Sequence, residues 1–440
     1  MTIRTRFAPS PTGHVHIGNM RAAIYNWLFA RHTGGTFLLR IEDTDRERST
    51  PEACATVLRA MQWLGIEADE TPLYQSQRLD AHRAAAEDLV RQGHAYKEDK
   101  GGTGKGECII FRMPGTDIAF RDAVKGELAK KAADLKDFVI VRSDGSPVFH
   151  LANVLDDLHM NVTHIIRGDD HVENTFRHIA LFRALGAEPP VYAHLPMIVN
   201  AQGKPYSKRD GDAYVGEFQE HGYLPPALFN YLALLGWSPG DGREVMSVEE
   251  MIRDFSFERV QSSPAQFDRV KLAWINGEHM RRLPEAERLA DHKADLAAHG
   301  LWTGAFDDAY LRQVLRIMED RIKLFSDTAH QTAYFFTDDF PWDDKAVRKR
   351  LLKPGAFDLL DALRERWAAL PAFDAAGLEA ALKSLAGERG WNPGDLIHPA
   401  RVAVSGYSAG PGLYQLLETL GRDRALARLA EARARWDGHA

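Results

Sequence analysis

The chain has 440 residues, 45% of them apolar and 27% charged, with a formal net charge of −7. That length exceeds one ordinary core, so about two to four domains are expected, and the negative balance excludes a protein that coats nucleic acid at large, which would be basic overall. Two cysteines, Cys54 and Cys108, exclude a disulfide framework and a cysteine-based zinc site; no apolar run approaches the roughly 20 residues that span a bilayer, and the start MTIRTRF has no export pattern, so a cytoplasmic protein is expected.

In the first stretch Ile3, Thr5 and Phe7 alternate with Arg4 and Arg6 as a short strand does, and the cluster Pro9-Ser-Pro-Thr-Gly13 ends it. Apolar residues from Met20 to Phe29 then recur at helical spacing. Gly34-Gly35 stops that helix, and a second strand, Phe37 to Ile41, delivers Glu42, Asp43 and Asp45 at its carboxyl end, where ligands sit in a parallel sheet. His14 and His16 occupy the turn and Gly18 the helix start. Unpaired N–H groups and the positive dipole end there suit a phosphate, with Gly18 letting it approach the backbone.

Two helices are expected from about 51 to 65 and 77 to 93, each closed by a Gly. From Ala95 to Val148 short β-like runs such as 108–112 and 138–142 read as an insertion. Within it Gly101-Gly-Thr-Gly-Lys-Gly106 lacks the Ser or Thr and the following helix of a P-loop, and reads as a mobile loop. From Phe149 the α/β pattern returns. A buried strand, Val162 to Ile166, releases Arg167, Gly168, Asp169 and Asp170 at the same sheet edge, and a helix from about Glu173 to Leu185 stops at Gly186. His159, His164, Asp169, Asp170 and His171 lack metal-binding helical spacing, so side-chain metal ligation is not expected.

After a strand near Ile198, Gly203-Lys-Pro-Tyr-Ser-Lys-Arg-Asp-Gly211 places two lysines and an arginine in a Gly/Pro-bounded loop, a cationic clamp suited to a developing pyrophosphate. The remainder, including 224–237 and 268–280, is helical. Arg312, Arg316, Arg321, Lys323, Arg348, Lys349 and Arg350 with Trp342 suit phosphate tracking and base stacking, although singly each reads as a solvated helix residue.

His16-Ile-Gly-Asn19 resembles the HIGH element of class I aminoacyl-tRNA synthetases, and the flanking FAPSPTG (7–13) and RIEDTD (40–45) narrow the resemblance to glutamyl-tRNA synthetases. The run from Phe149 resembles that family's YHLANVVDD and VIRGEEW blocks, departing at Phe149 and at Asp169-Asp170-His171. Residues 205–209 resemble the KMSKS loop, with Pro205 in place of its first lysine. Segments 268–277 and 398–413 resemble the family's stem-contacting and anticodon-binding blocks. Glutaminyl relatives end in β-barrels, whereas this tail is helical.

The resemblance implies an α/β class I Rossmann-like catalytic domain split by an acceptor-binding insertion, followed by an all-α stem-contact and anticodon-binding region. The expected boundaries are 1–75 and 146–203 for the two catalytic halves, 76–145 for the insertion, 204–282 for the KMSKS loop and stem-contact domain, and 283–440 for the anticodon-binding domain. It implies a glutamate–tRNA ligase acting on L-glutamate, ATP and tRNA(Glu), tRNA(Gln) or both, as a monomer. Mg²⁺ is expected mainly through ATP and the water around it; no zinc and no metal held by side chains are expected, since the inserted segment is short and contains Cys108 alone.

By position in the motifs, His16, Gly18, Lys208 and Lys204 are the expected catalytic residues, Lys204 supplying the charge that Pro205 lacks. Asn19, Asp170, Ser207 and Arg209 join His16, Gly18 and Lys208 at ATP, Asp170 near its ribose. Arg6 and Arg167 are expected to bind the glutamate carboxylates, Glu42 the ammonium, with Ala8, Ser10, Phe149 and Asn153 lining the pocket. Phe149 lacks the phenol of relatives, so weaker glutamate binding is expected, by about 0.5–1.5 kcal/mol for one hydrogen bond. A nucleotidyltransferase for a small molecule would leave the long helical tail without a task, and an inactive RNA-binding relative would not need the retained His16, Gly18, Lys208, Arg6 and Glu42.

Overall fold

The structure is a computed structural model that describes residues 2–11, 13–45, 49–99 and 106–436. The expected loop at 101–106 lies, apart from Gly106, outside the described residues. The chain forms two compact units, Met1–His279 and Met280–Ala440.

The first unit begins with β1 (Arg4–Phe7), α1 (Ile17–His32) and β2 (Thr36–Ile41), the two strands running parallel. Ten of the sixteen residues of α1 are buried, so this helix is apolar nearly all round and lies inside the unit rather than on its surface. Ile24 and Leu28 are fully buried, each contributing about 1.5–3 kcal/mol. The helix ends at Thr33, and Gly34 takes a φ of 63° that a branched residue would resist. At Gly35 a Cβ would stand 2.5 Å from the Ile3 carbonyl oxygen, so a side chain there would push β2 away from the first strand's entry.

The helix α2 (Pro51–Trp63) is capped by the Thr50 hydroxyl and leads to β3 (Leu73–Tyr74), parallel to β2. Then come α3 (Leu79–Arg91), β4 (Ala95–Glu98), β5 (Cys108–Phe111), the hairpin β6 (Ile118–Asp122) with β7 (Gly126–Lys130), β8 (Phe138–Val141), α4 (Phe149–His159), β9 (His164–Gly168), α5 (Val172–Ala184) and β10 (Val191–Leu195). The segment expected as an insertion divides between two sheets. Strands β4, β5 and β8 form their own antiparallel sheet, whereas β6 pairs in parallel with β10 and so joins the second catalytic half. Tyr192 and Asp122 make that junction, which alternation within the segment does not reveal.

The strand expected at 162–166 runs from His164 to Gly168, so Arg167 and Gly168 are its last residues instead of following it. The β10 strand, which pairs with β9, was not anticipated. The Thr163 N–H donates to the Arg4 carbonyl at 2.9 Å, laying β9 beside β1. Strand order therefore reverses between β1 and β9, and a crevice at such a reversal is where open α/β sheets bind ligands.

The unit is completed by β11 (Ile198–Val199), α6 (Val215–Glu220), α7 (Pro225–Leu234), α8 (Val248–Asp254), β12 (Ala265–Gln266) and α9 (Arg269–Arg282). Trp27 and Phe229 meet edge to face at 5.8 Å, which locks α1 to α7.

Among its described residues the second unit is helical throughout: α10 (Glu285–Ala298), α11 (Asp308–Met318), α12 (Thr328–Phe336), α13 (Asp344–Arg350), α14 (Ala356–Ala368), α15 (Ala375–Arg389), α16 (Pro393–Ser405), α17 (Leu413–Leu420) and α18 (Arg422–Trp436). Helical spacing decides what is buried, as with Leu311, Val314 and Met318 on α11. Gly406 ends α16 at a φ of 79°, and a Cβ there would lie 2.3 Å from the Pro341 carbonyl oxygen. The Arg428 guanidinium is buried against Asp338, with Nε 3.0 Å from its carboxylate, and donates to the Tyr334, Val404 and Thr337 carbonyls. Trp342, expected as a base-stacking surface, packs on Phe340 and Trp436 with centroids 5.4 and 5.9 Å away.

Candidate active site

A cavity of about 620 Å³ opens at the carboxyl ends of β1, β2 and β9. Of the residues expected there, Arg6, Ala8, Ser10, His16, Gly18, Asn19, Glu42, Phe149, Asn153, Arg167 and Asp170 line it. Lys204, Ser207, Lys208 and Arg209 do not.

Behind the wall stands a charge network built by α4. Asp157 is fully buried and receives Arg6 Nε at 3.0 Å and Arg40 at 2.5 Å. Burial alone would push the Asp157 carboxyl up, but the charges and hydrogen bonds of Arg40 and Arg6 outweigh it and hold it below the usual carboxylate range. Its neighbour Asp156 anchors α3, receiving Gln75, Arg78 and His82 at 3.0, 2.7 and 2.8 Å. Arg40 and Asp157 belong to the two recognised blocks, yet the sequence assigns them no task. A strand residue and a helix residue 117 apart in the chain give no local pattern of pairing.

Glu42 sits over this network, its Oε1 receiving Arg40 at 3.1 Å and Asn153 Nδ2 at 2.8 Å. Burial raises its pKa against the pull of Arg40. Its Oε2 has no partner among the described residues, and the buried Asn153 Oδ1 likewise has none. Glu42 and Asn153 both line the cavity, and a spare acceptor on each suits a cationic donor.

Arg167 is buried and has no carboxylate partner among the described residues. Its Nε reaches His194 Nε2 at 3.3 Å, and its Nη2 reaches Thr175 Oγ1 at 2.7 Å and the His171 carbonyl at 3.3 Å. Desolvation, before any neighbouring charge, lowers its pKa to about 10. Imidazoles surround it, and burial together with the Arg167 charge keeps them below their ordinary pKa: His178 well below, His171 lowered, and His150 at about 4 through burial, then Arg177 and Arg167. The Phe149 ring packs among His150, His171 and His178 at 5.5, 5.7 and 5.7 Å. A buried guanidinium ringed by neutral groups keeps its full charge for an incoming anion.

At the start of α1 the donors differ from expectation. His16 Nδ1 accepts the Gly18 N–H at 3.0 Å, and the Ile17 N–H donates to the Ala213 carbonyl at 2.9 Å. The Gly18 amide is thus spent on capping, and Asn19 N–H is the first-turn donor without a partner among the described residues. Gly18 is small for a different reason: a Cβ would stand 3.2 Å from His16 Nδ1. Burial lowers the His16 pKa, while a hydrogen bond with the Tyr206 backbone and the Glu217 charge raise it.

The cationic loop lies beside the cavity. Asn200 N–H donates to the Lys204 carbonyl at 2.8 Å and Tyr206 N–H to the Ile198 carbonyl at 2.9 Å, so Pro205 occupies a bridge position where no N–H is needed. Ser207 donates to Asp210 through its N–H and hydroxyl at 2.9 and 3.0 Å, leaving Lys208 and Arg209 exposed. Lys208 Nζ stands 5.9 Å above the Tyr214 ring, which meets His16 edge-on at 6.0 Å. Arg21 is a lining cation that the sequence did not single out; it donates to the Leu235 carbonyl at 3.0 Å and to Pro196, and its buried Nε has no partner among the described residues.

The family described as "tRNA synthetases class I (E and Q), catalytic domain" matches residues 2–103 and 97–274, and "Anticodon binding domain" matches 286–433. The glutamate–tRNA ligase of Moorella thermoacetica is 41% identical over 485 residues, spanning 99% of this chain and 98% of that protein. That of Methylacidiphilum infernorum is 41% identical over 441 residues, spanning 98% of each. The crystal structure of a glutamate tRNA ligase from Elizabethkingia meningosepticum in complex with its amino acid is similar at a TM-score of 0.81 with 29% identity, covering 98% of this chain and 99% of that one.

Proposed function

The chain belongs to the glutamyl-tRNA synthetases of class I, and on that footing we propose how its own residues carry the two steps of a glutamate–tRNA ligase. In the first, the α-carboxylate of L-glutamate attacks the α-phosphorus of ATP in line. The bond to the leaving pyrophosphate breaks, and glutamyl-adenylate forms. In the second, a ribose hydroxyl of the terminal adenosine of tRNA attacks the acyl carbon and AMP leaves. The protein's contribution is positioning and charge neutralisation.

Arg6 and Arg167 bind the glutamate carboxylates, while Glu42 Oε2 and Asn153 Oδ1 take the ammonium; Ala8, Ser10 and Phe149 shape the remaining wall. The observation that carries this reading is Arg167, a buried cation whose partners among the described residues are all neutral. Arg6 differs, since Asp157 already balances it and fixes its plane, so the pair offers one uncompensated charge and one oriented fork.

The helix start, through Asn19 N–H and His16, holds the triphosphate, with Asp170 near the ribose. Lys208, helped by Lys204, Ser207 and Arg209, neutralises the pyrophosphate after the loop swings towards the cavity, since in this structure its cations stand outside. Mg²⁺ enters with the triphosphate and supplies further charge neutralisation when bound; zinc has no part.

The proposed division of labour is 1–75 and 146–203 for catalysis, 76–145 for meeting the acceptor end, with its β6–β7 hairpin sharing the catalytic sheet, 204–282 for meeting the stem and 283–440 for reading the anticodon, in a monomer. Charging of purified tRNA(Glu) and tRNA(Gln), assayed separately with ATP and labelled glutamate, tests the activity. Product with the first alone marks a discriminating enzyme, product with the second marks one whose product an amidotransferase corrects, and product with neither refutes the mechanism.

A further inference from the structure

Arg167 is held from behind by a row of side chains that crosses three strands. Asp122 ends β6, His194 stands on β10, and Arg167 stands on β9 in direct register with His194. His194 is fully buried, its Nδ1 2.6 Å from Asp122 Oδ2 and its Nε2 3.3 Å from Arg167 Nε and 3.0 Å from Thr175 Oγ1. Arg167 Nε always carries a hydrogen, so His194 Nε2 is the acceptor and the ring's proton sits on Nδ1, donated to Asp122. The Asp122 carboxylate has no freedom to turn away. Its Oδ1 accepts the N–H groups of Val124, Lys125 and His194 at 2.9, 2.8 and 3.2 Å.

We infer that Asp122 and His194 are positioning residues that set the enzyme's affinity for glutamate: Asp122 fixes the His194 tautomer, and the Nε2 lone pair then fixes the plane of the Arg167 guanidinium. The inference rests on the reading of Arg167 as a carboxylate binder. Its chemical logic lies in the choice of a neutral acceptor. A carboxylate in the place of His194 would orient Arg167 equally well, but it would cancel the charge that the substrate needs and compete with it for the same N–H groups. An imidazole whose own proton is tied to a carboxylate one strand further away orients without neutralising.

Asparagine at 122 reverses the tautomer. The three backbone donors keep its oxygen, the amide nitrogen faces His194 Nδ1, and the ring proton moves to Nε2, where it meets Arg167 Nε–H. Steady-state glutamylation at saturating tRNA is measured for Asp122→Asn, His194→Leu, His194→Gln and Arg167→Ala. For Asp122→Asn and His194→Leu the Michaelis constant for glutamate rises about tenfold, as loss of one orienting hydrogen bond gives, while kcat and the constant for ATP stay unchanged. His194→Gln supplies a carbonyl acceptor near Nε2 and recovers most of the loss seen with leucine. If Arg167→Ala leaves the glutamate constant unchanged, the reading of Arg167 itself fails. If Arg167→Ala raises it and Asp122→Asn and His194→Leu do not, the positioning role is refuted while Arg167 keeps its place. A rise in the ATP constant alongside that for glutamate, or no recovery with glutamine, assigns the row to packing alone and also overturns the proposal.

Discussion

Replacing Phe149 by tyrosine adds one oxygen to a ring that lines the cavity and already packs among three imidazoles. Those imidazoles have pKa values lowered chiefly by burial, so the added hydroxyl meets no further cation at neutral pH. The backbone and ring positions need not move, because α4 is locked by Asp156 and Asp157 about two turns further along the helix. One neutral hydrogen bond contributes about 0.5–1.5 kcal/mol, which converts to a roughly two- to twelvefold tighter hold on glutamate. The assay is the Michaelis constant for glutamate at saturating ATP and tRNA, with the ATP constant as control. Phe149→Tyr lowers the first and leaves the second unchanged. A glutamate constant that stays level or rises refutes the idea that the missing phenol weakens substrate binding.

Gly18→Ala places a methyl 3.2 Å from His16 Nδ1 and loosens the cap of α1; the constant for ATP rises several-fold, and an unchanged constant in pyrophosphate exchange counts against a nucleotide role for the helix start. Asp157→Asn leaves the buried Arg6 without its anion and Arg40 with Glu42 alone, and costs about 3–5 kcal/mol at neutral pH in denaturant unfolding. Because the folded Asp157 pKa lies below its ordinary value, that stability is present above about pH 4 and is lost as pH falls through the folded value, so the wild-type and variant curves converge in acid. A parallel offset at every pH contradicts this. His150, His171 and His178 have pKa values lowered from 6.5, chiefly by burial, so their contribution is complete above pH 6.5 and declines as pH falls towards about 4 for His150; a melting temperature that is flat from pH 6.5 to 4.5 rules it out. Gly406→Ala meets the Pro341 carbonyl at 2.3 Å in a left-handed turn, and the second unit loses at least about 1 kcal/mol of stability, visible as an earlier thermal transition; an unmoved transition rejects the assigned clash.

Local chemistry made much of this protein legible in one dimension. Alternation in 3–7, the Pro9–Gly13 turn, helical spacing after Met20 and the Gly34-Gly35 stop depend on neighbours in the chain, and the strand–helix–strand they specify is present. So are the helical tail and the cavity-lining positions of Glu42 and Arg167, which their place at strand ends marks as ligand-facing, and of Arg6 and Asn153, which the family resemblance implies. Tertiary structure decided the pairings between distant segments. That Asp157 serves Arg6 and Arg40, that β6 leaves its segment to join β10, and that His16 spends its Nδ1 on Gly18 all depend on distances through space. The same holds for the cationic loop, whose charges are plain in the sequence and whose exposure is set by the Ser207–Asp210 cap and the Pro205 bridge. Periodicity encodes which face of an element is buried, but a buried charge must be matched by an opposite charge or acceptor wherever the fold brings one, and that match leaves no local pattern.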